Sequence, residues 1–468
     1  MQSAITIANA EADRILSRTW QIALAVGGLA LVYFLVMLPR DITWVNVGQD
    51  GADYMIAAKY WRLAHSTGAP FYTVLAGVWL RAVPIGTDWW RLALLSALFS
   101  AGTAALLYAA TRNMLAPVLF LASGIVVSQS TIIEVYAATT FFIVAGWYLH
   151  TNRHRNWGYA AVGLGMAIHN LAGFMFLALL VADWQRQRRI PWQHVLVAIA
   201  TSAPWYLYLV LANRQPYINI PGNNPLDWAH YFASQHGLMG GIAVMGSQWT
   251  LSEDFRERCW DAVRIILSLG PGLVLLVLGA RQQILKGRYL LPIVAGLVTL
   301  YWFTFLDPRS YTYMMVATAL VAVIMAQAKV PDWLRVITAL YCLALMGFNV
   351  VWYDIGGSHL DSQHSAEAFR SSLARLEGDE YVWSGPRQWE AMTLQLYNFD
   401  HGTNFNPILL GPTPRATLAD LETAASRGKL YRTEVTDAPN YQVRIVAAFP
   451  MQVWEDMKSQ DLRNYQRK

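Results

Sequence analysis

The stretch Gln49-Asp50-Gly51-Ala52-Asp53-Tyr54 directly follows the first long hydrophobic segment and holds two carboxylates three residues apart. In a water-soluble domain such a pair would most often be two solvated surface acids. Here the pair lies where the chain leaves a hydrophobic segment. The residues that follow are amphipathic and are interrupted at Gly68-Ala69-Pro70, which indicates two interfacial helices lying on a membrane. Asp50 and Asp53 are therefore candidate functional residues.

The composition indicates a polytopic α-helical membrane protein. Of the 468 residues, 55% are hydrophobic and only 14% are charged, and the mean hydropathy is +0.29. This balance argues against soluble-enzyme templates and against nucleic acid as a partner. Hydrophobic runs of roughly 20 residues predict about eleven transmembrane helices, near 20–38, 89–111, 116–131, 134–150, 158–170, 171–183, 193–212, 262–280, 289–306, 311–328 and 333–352.

The basic residues predict the orientation of these spans, because Lys and Arg mark cytoplasmic loops. They fall in alternate loops, at Arg112, Arg153, Arg155, Arg186, Arg188, Arg189, Arg281, Lys286, Arg288, Lys329 and Arg335. The N-terminus is then cytoplasmic, and the first loop (39–88), the 213–260 loop and the tail lie outside. We expect an integral protein of the bacterial inner (plasma) membrane.

The segment 158–183 is the weakest part of this count, because its two halves are short and meet at Ile168-His169-Asn170. One kinked or re-entrant pair would also fit. A polar pair at such a break can line a cavity, since irregular backbone at membrane depth must face protein or water. The alternative is a histidine that is hydrogen-bonded inside the bundle.

The tail has a different composition, since 15 of the 30 acidic residues lie after Tyr353. Short helix-like and strand-like segments alternate there, which predicts a small extracytoplasmic α/β domain over 353–468 beside a membrane domain over 1–352. The tail contains no glycine-rich phosphate loop, nucleophile elbow or zinc pattern. Its expected role is to cover the external face or to recognise an acceptor.

Four motifs together carry a family resemblance: the run from Asp50 to Ala58, the turn at His65, the helix start after Trp90, and Glu134-Val135-Tyr136-Ala137. In this combination the chain resembles the glycosyltransferase-C (GT-C) superfamily. It is most similar to the protein O-mannosyltransferase-like family related to transmembrane protein 260. Ser66-Thr67 stand where that family has two prolines.

Three later segments add to the resemblance. His169-Asn170 is similar to the family's Asn-His pair in reversed order. Leu226-Asp227-Trp228 resembles its external tryptophan motif, and the turn from Asp307 to Tyr311 resembles its acid-x-Arg-x-Tyr turn. The resemblance implies an inverting transfer of a sugar from a polyprenyl-phosphate donor to a protein, lipid or glycan acceptor outside the cytoplasm.

Such a displacement needs a base for the acceptor proton and positive charge for the departing phosphate. Asp50 is the candidate base, and Asp53 would orient it or share a divalent metal ion, Mg²⁺ or Mn²⁺. The forked donors of Arg309 suit phosphate oxygens. Arg309 could equally pair with Asp307 as an interfacial anchor.

The remaining candidates each have a second interpretation. Glu134 either contacts the sugar or the loop of Asp50, or it stabilises the helix start, where a carboxylate is favourable. His65 is a donor to the phosphate or a polar group at the interface. Trp228 and Tyr311 stack against sugar or lipid, or are ordinary interfacial aromatics.

A membrane transporter or flippase for a lipid-linked or anionic solute is the alternative function. A transporter would usually place its polar groups near the bilayer midplane rather than in an external loop. It would also have no need of a soluble domain on that face.

Overall fold

A computed structural model describes most of the helical part of the chain and portions of the tail. The described residues are 2–43, 51–62, 64, 69–212, 253–305, 311–352, 358–376, 378, 380–383, 388–408, 423–424, 426–436 and 442–446. They divide into two compact units. The first comprises Met1–Leu38, Ala57–Ile85 and Arg91–Trp352, and the second comprises Pro39–Ile56, Gly86–Trp90 and Tyr353–Lys468.

Up to residue 350, the regular elements that the structure describes are all helices. Its helices are α1 (Gln2–Met37), α2 (Ala52–Tyr60), α3 (Pro70–Ala82), α4 (Asp88–Thr111), α5 (Leu115–Ala122), α6 (Gly124–Ser130), α7 (Tyr136–Thr151), α8 (Arg155–Met166), α9 (Ala172–Gln187), α10 (Trp192–Ala212), α11 (Glu253–Ser268), α12 (Gly272–Leu285), α13 (Leu290–Phe305), α14 (Met314–Ala326) and α15 (Asp332–Val350). A short 3₁₀ turn, Tyr311–Tyr313, precedes α14. Proline begins α3, where its missing N–H costs nothing.

Three described helices are long and apolar enough to cross a membrane: Ser17–Met37 within α1, α4 and α15. The chain is therefore an integral membrane protein. A fourth candidate is a bent pair, in which Ala262–Ser268 and Gly272–Leu285 meet at 96°. The span predicted at 262–280 is bent at its middle, because Gly270 adopts φ +52° and Pro271 follows it, a combination that ends a helix. The full set of eleven spans stays a prediction.

The segment 158–183 forms two antiparallel helices, α8 and α9, with Ile168-His169-Asn170 at the tip. The start of α8 lies beside the end of α9, because Arg155 Nε is 3.6 Å from Asp183 Oδ1. Helix α7 packs along this hairpin through glycines: a Cβ on Gly158 would lie 2.9 Å from the carbonyl oxygen of Gly146. The hairpin therefore lies alongside α7 in the first unit.

The described part of the tail contains two helices and a sheet. The helices are α16 (Ser358–Leu373) and α17 (Gln388–His401), and the strands are β1 (Tyr381–Trp383), β2 (Asn406–Ile408), β3 (Leu430–Thr436) and β4 (Gln442–Val446). The strand order is β2-β1-β3-β4. Strand β1 pairs in parallel with β2 and β3, whereas β3 and β4 are antiparallel. Helix α16 packs on β4 and α17 packs on β2. The extracytoplasmic position of this tail stays a prediction.

Candidate active site

Glu134 is a buried carboxylate at the start of α7, with only 2% of its surface exposed. Its Oε2 accepts the backbone N–H of Val135 at 3.3 Å. The negative charge therefore lies at the positive end of the helix dipole, where it is favourable. The structural role that the sequence left open for Glu134 is thus present, and a role in binding is compatible with it.

Hydroxyl groups from two other helices surround Glu134. Ser96 Oγ, on α4, donates to the backbone oxygen of Glu134 at 3.4 Å. Tyr72, on α3, is fully buried. Burial raises the pKa of the Tyr72 phenol, the charge of Glu134 raises it further, and a hydrogen bond with Ser96 lowers it in part. The phenol is therefore protonated at neutral pH and remains a hydrogen-bond donor.

An aromatic cluster, formed by Tyr136, His169 and Tyr313, lies beside the start of α7. The ring centroid of His169 is 5.4 Å from those of Tyr136 and Tyr313, and the two tyrosine rings are 5.0 Å apart. His169 Nδ1 accepts the backbone N–H of Leu171 at 3.2 Å. An imidazole that accepts at Nδ1 carries its proton on Nε2 and is neutral. His169 is thus held as a neutral donor between two phenols.

Asn170 continues this cluster toward the surface. It is exposed, and its side chain is a hydrogen-bond partner of the Tyr301 phenol on α13. The Tyr301 ring lies 6.4 Å from that of Tyr313. The tip of the α8–α9 hairpin therefore presents an exposed amide next to three phenol rings.

Four of the predicted positions meet at one end of the first unit. Tyr136 follows Glu134 by two residues and contacts His169, which brings Glu134, His169 and Asn170 together although 36 positions of sequence separate the first from the last. The fourth position is Tyr311, whose backbone lies in the same 3₁₀ turn as Tyr313, and Tyr313 contacts His169. The start of α3 joins the same end, because Phe71 N–H donates to the Ala167 oxygen at 3.1 Å.

Asp53 belongs to the second unit. It lies in the first turn of α2 and is 2% exposed. A carboxylate at this position is favoured by the helix dipole. The other predicted site residues, or their side chains, lie outside the described residues: Asp50, His65, Trp228, Arg309 and the side chain of Tyr311.

The sequence did not identify Tyr72, Ser96, Tyr136 and Tyr313 as site residues. The first three lie inside motifs that carry the family resemblance, so their position was visible. A hydroxyl group on an otherwise apolar run could have marked each of them, since a buried hydroxyl needs a partner. Tyr313 is two residues beyond the turn that was identified, and only the 3₁₀ geometry brings its ring to His169.

The predicted divalent metal depends on Asp50, which lies outside the described residues. Within the residues that the structure describes, no group of three or more His, Cys, Asp or Glu side chains could hold a metal ion. The metal requirement therefore stays a prediction.

A second buried polar cluster lies at the opposite end of α7, and its centre is Asp183, whose side chain is fully buried. His150 Nε2 is 3.1 Å from Asp183 Oδ2, and the Tyr159 hydroxyl donates to the same oxygen at 3.3 Å. His194, on α10, stacks on Tyr159 with ring centroids 5.2 Å apart. Because α7 has 16 residues, the two clusters are separated by roughly 24 Å, at ~1.5 Å per residue.

Comparison with known proteins agrees with this architecture. Residues 50–211 match the family described as Protein O-mannosyl-transferase TMEM260 N-terminal domain. No curated protein matches the chain by sequence. The crystal structure of ArnT from Cupriavidus metallidurans bound to undecaprenyl phosphate is similar, with a TM-score of 0.58 at 12% identity, covering 92% of this chain and 97% of ArnT. The apo form of ArnT gives a TM-score of 0.53 at 12% identity, covering 94% and 98%.

These comparisons support the predicted resemblance. Residues 50–211 are similar to the TMEM260 N-terminal domain, and the chain has a helical fold similar to that of ArnT.

Proposed function

We propose that the protein is an inverting glycosyltransferase of the EC 2.4 class, which moves a hexose or pentose such as mannose from a polyprenyl-phosphate donor to an acceptor. Protein Ser/Thr, lipid and glycan hydroxyls are the acceptor classes. The observation that carries the proposal is the gathering of Glu134, Tyr136, His169 and Asn170, all within the region that matches the O-mannosyltransferase family. The likeness to ArnT, crystallised with undecaprenyl phosphate, supports a donor of the same chemical class.

In the proposed reaction, an acceptor oxygen attacks the anomeric carbon from the face opposite the phosphate. Its proton passes to the carboxylate of Asp50, and the bond between the anomeric carbon and the phosphate oxygen breaks with its electron pair moving to the phosphate. The configuration inverts, and polyprenyl phosphate leaves. Asp53 orients Asp50, and Arg309 holds the phosphate through its forked donors.

The groups at the start of α7 have binding roles in this proposal. Flat aromatic rings such as Tyr136 and Tyr313 can stack on the apolar face of a sugar, and the neutral Nε2–H of His169 can donate to a sugar hydroxyl or phosphate oxygen. Asn170 offers both a donor and an acceptor at the exposed edge. Glu134 accepts from a sugar hydroxyl while it stabilises the helix start.

A divalent metal, Mg²⁺ or Mn²⁺, would be held by Asp50 and Asp53 and would stabilise negative charge on the departing phosphate. We place the N-terminus in the cytoplasm and the site and tail outside a bacterial inner membrane. The tail covers the site or recognises the acceptor. His65, Trp228 and Tyr311 complete the proposed donor and acceptor contacts.

The test is to measure donor binding and single-turnover transfer with purified protein and a polyprenyl-phosphate sugar. Asp50→Asn keeps the shape of the side chain but cannot take a proton, so we expect donor binding to persist while transfer falls roughly 10²–10⁴-fold. Asp332→Asn, another carboxylate in the first turn of a helix, is the matched control and should transfer normally.

Two results would count against the proposal. If Asp50→Asn loses donor binding but transfers normally at saturation, Asp50 is a donor or metal ligand rather than the base. If the wild-type protein moves the lipid-linked sugar across vesicle membranes without consuming it, the protein is the transporter that the sequence left as the alternative.

A further inference from the structure

Four exposed arginines surround the end of the first unit that lies opposite Glu134. Arg153 lies in the loop between α7 and α8, and Arg186, Arg188 and Arg189 lie at the end of α9 and in the loop that follows it. We name this group the arginine corner. It is not involved in the proposed transfer reaction, which belongs to the other end of the same helices.

The buried carboxylate of Asp183 brings the two loops of the arginine corner together. Asp183 is on α9, and its oxygens contact His150 at the end of α7 and both Arg155 and Tyr159 at the start of α8. The three helix ends are therefore joined at one buried point. The loops that leave these ends must lie side by side at the surface.

The backbone of both loops is closely defined. Arg153 and Arg188 have φ values of 68° and 53°, which is the left-handed conformation that ends a helix. Arg188 N–H donates to the Trp184 oxygen at 2.7 Å, and His154 N–H donates to the Leu149 oxygen at 2.9 Å. Arginine at the end of a helix is also favoured by the dipole. The positions of these arginines are thus fixed by the helix ends that precede them.

Among the residues that the structure describes, no acidic side chain balances the positive charge of the arginine corner. Asp183 is the one acidic residue between positions 135 and 226, and it pairs with His150 at 3.1 Å and with Arg155 at 3.6 Å. Arg153, Arg186 and the other two arginines make no ion pair in the part of the chain that the structure describes. The corner therefore carries an excess of four positive charges.

Exposed tryptophans lie beside these arginines. Trp157, Trp184 and Trp192 are 70%, 46% and 63% exposed. Tryptophan with this exposure in a membrane protein is typical of the level of the lipid headgroups, where its ring is apolar and its N–H is polar. The arginines beside it are then at the depth of the lipid phosphates.

We propose that the arginine corner binds the headgroup of an anionic phospholipid, with the phosphodiester of phosphatidylglycerol as the recognised chemistry. Guanidinium groups match phosphate oxygens with two parallel hydrogen bonds, and basic pockets at helix ends are suited to anionic headgroups. The acyl chains pass along the tryptophans into the bilayer. The bound lipid would hold the α8–α9 hairpin from the end opposite its tip.

The experiment is a lipid titration of the purified full-length protein in detergent, read by native mass spectrometry. The probes are phosphatidylglycerol, phosphatidylcholine and soluble glycerol 3-phosphate. We expect the wild-type protein to prefer phosphatidylglycerol, and we expect binding to be about 100-fold weaker in Arg153→Gln/Arg188→Gln/Arg189→Gln, from a contribution of about 1 kcal/mol for each basic residue near anionic lipid.

The matched control removes three charges from another loop at the same end, Arg281→Gln/Lys286→Gln/Arg288→Gln. Gln282 Oε1 accepts the Lys329 N–H at 2.8 Å, and Lys329 lies just beyond the end of α14. Because α14 starts beside Tyr136 at the Glu134 end, this loop lies at the opposite end. The control should bind phosphatidylglycerol as the wild type does. Equal losses in both triple variants would overturn the proposal, because phosphatidylglycerol binding would then depend on general surface charge and not on the arginine corner.

Equal binding of phosphatidylcholine, or glycerol 3-phosphate binding as tightly as the lipid, would also overturn it. If the triple variant fails to fold, the single variants Arg188→Gln and Arg189→Gln decide the question. Each should weaken phosphatidylglycerol binding severalfold, and unchanged binding in both would contradict the proposal. Donor transfer is not part of the readout, so failure of the transferase proposal leaves this test intact.

Discussion

A buried carboxylate lies beside each end of α7, and the two carboxylates have opposite settings. Asp183 is met by a histidine, an arginine and a phenol. Glu134 caps the start of its own helix and lies among the hydroxyl groups of Ser96 and Tyr72. The first arrangement compensates a buried charge with groups from the same bundle, whereas the second places donors and aromatic rings around a carboxylate.

This difference indicates that the two ends of the same helices have different roles, one in stability and the other in binding. A buried carboxylate with partners on several helices holds those helices together, and removing it leaves the partners without their compensating charge. A carboxylate beside a neutral histidine, phenols and an exposed amide can bind a sugar.

Asp183→Ala should cause the largest loss of stability. It leaves His150 and Arg155 without their carboxylate, and breaking a buried pair in this way costs about 3 kcal/mol or more. Thermal unfolding in detergent measures the effect, and the protein that remains folded should still bind donor. Wild-type thermal stability in this variant would show that the Asp183 cluster does not hold the helices.

Glu134→Gln should have the opposite profile. The amide keeps the size of the side chain and can still accept the Val135 N–H, so thermal stability should change little. Loss of a hydrogen bond to a charged group costs roughly 1.5–3 kcal/mol, or about 10- to 100-fold in kcat/KM. A variant that unfolds easily but transfers normally would reverse the assignment of the two ends.

Gly163→Ala tests the packing of the hairpin between the two ends. A Cβ at Gly163 would lie 2.5 Å from the Ala198 oxygen of α10, so α8 and α10 must move apart. Overpacking of this kind costs about 1–3 kcal/mol. The control is Gly173→Ala in α9, where a Cβ meets nothing within 4 Å, and it should leave the melting temperature unchanged or raise it.

Arg155→Gln should have the smallest effect. Its side chain is 32% exposed and its Nε is 3.6 Å from Asp183, so solvent weakens the pair and the cost should be about 1 kcal/mol. Thermal unfolding of Arg155→Gln beside Asp183→Ala gives the comparison. An equal loss in both would mean that Arg155, rather than His150, is the main partner of Asp183.

Hydrophobic length and the resemblance of four motifs predicted the helical GT-C-like fold, because these signals are local. Gly270-Pro271 is a helix-breaking pair, but the apolar residues on either side led to the prediction of a single span there. The neighbours of Glu134 were harder to predict. Contacts such as Tyr136 with His169 depend on how α7 and the hairpin pack, which no local pattern encodes.

The Asp183 cluster was not predicted at all. His150, Arg155 and Asp183 are each ordinary residues at the ends of hydrophobic runs, and the sequence assigned the arginines beside them only an orientation signal. Their partnership appears only when α8 and α9 are known to be antiparallel. The sequence signal that could have identified the cluster is Asp183, a single acidic residue in a long basic and apolar region.

The most direct measurement is a structure of the protein in a lipid nanodisc with polyprenyl phosphate bound. We expect the phosphate at the end of the first unit that contains Glu134 and the aromatic cluster, with the isoprenoid chain leaving into lipid beside it. A polyprenyl phosphate bound instead at the Asp183 end, with the Glu134 end free of it, would contradict the assignment of the donor site.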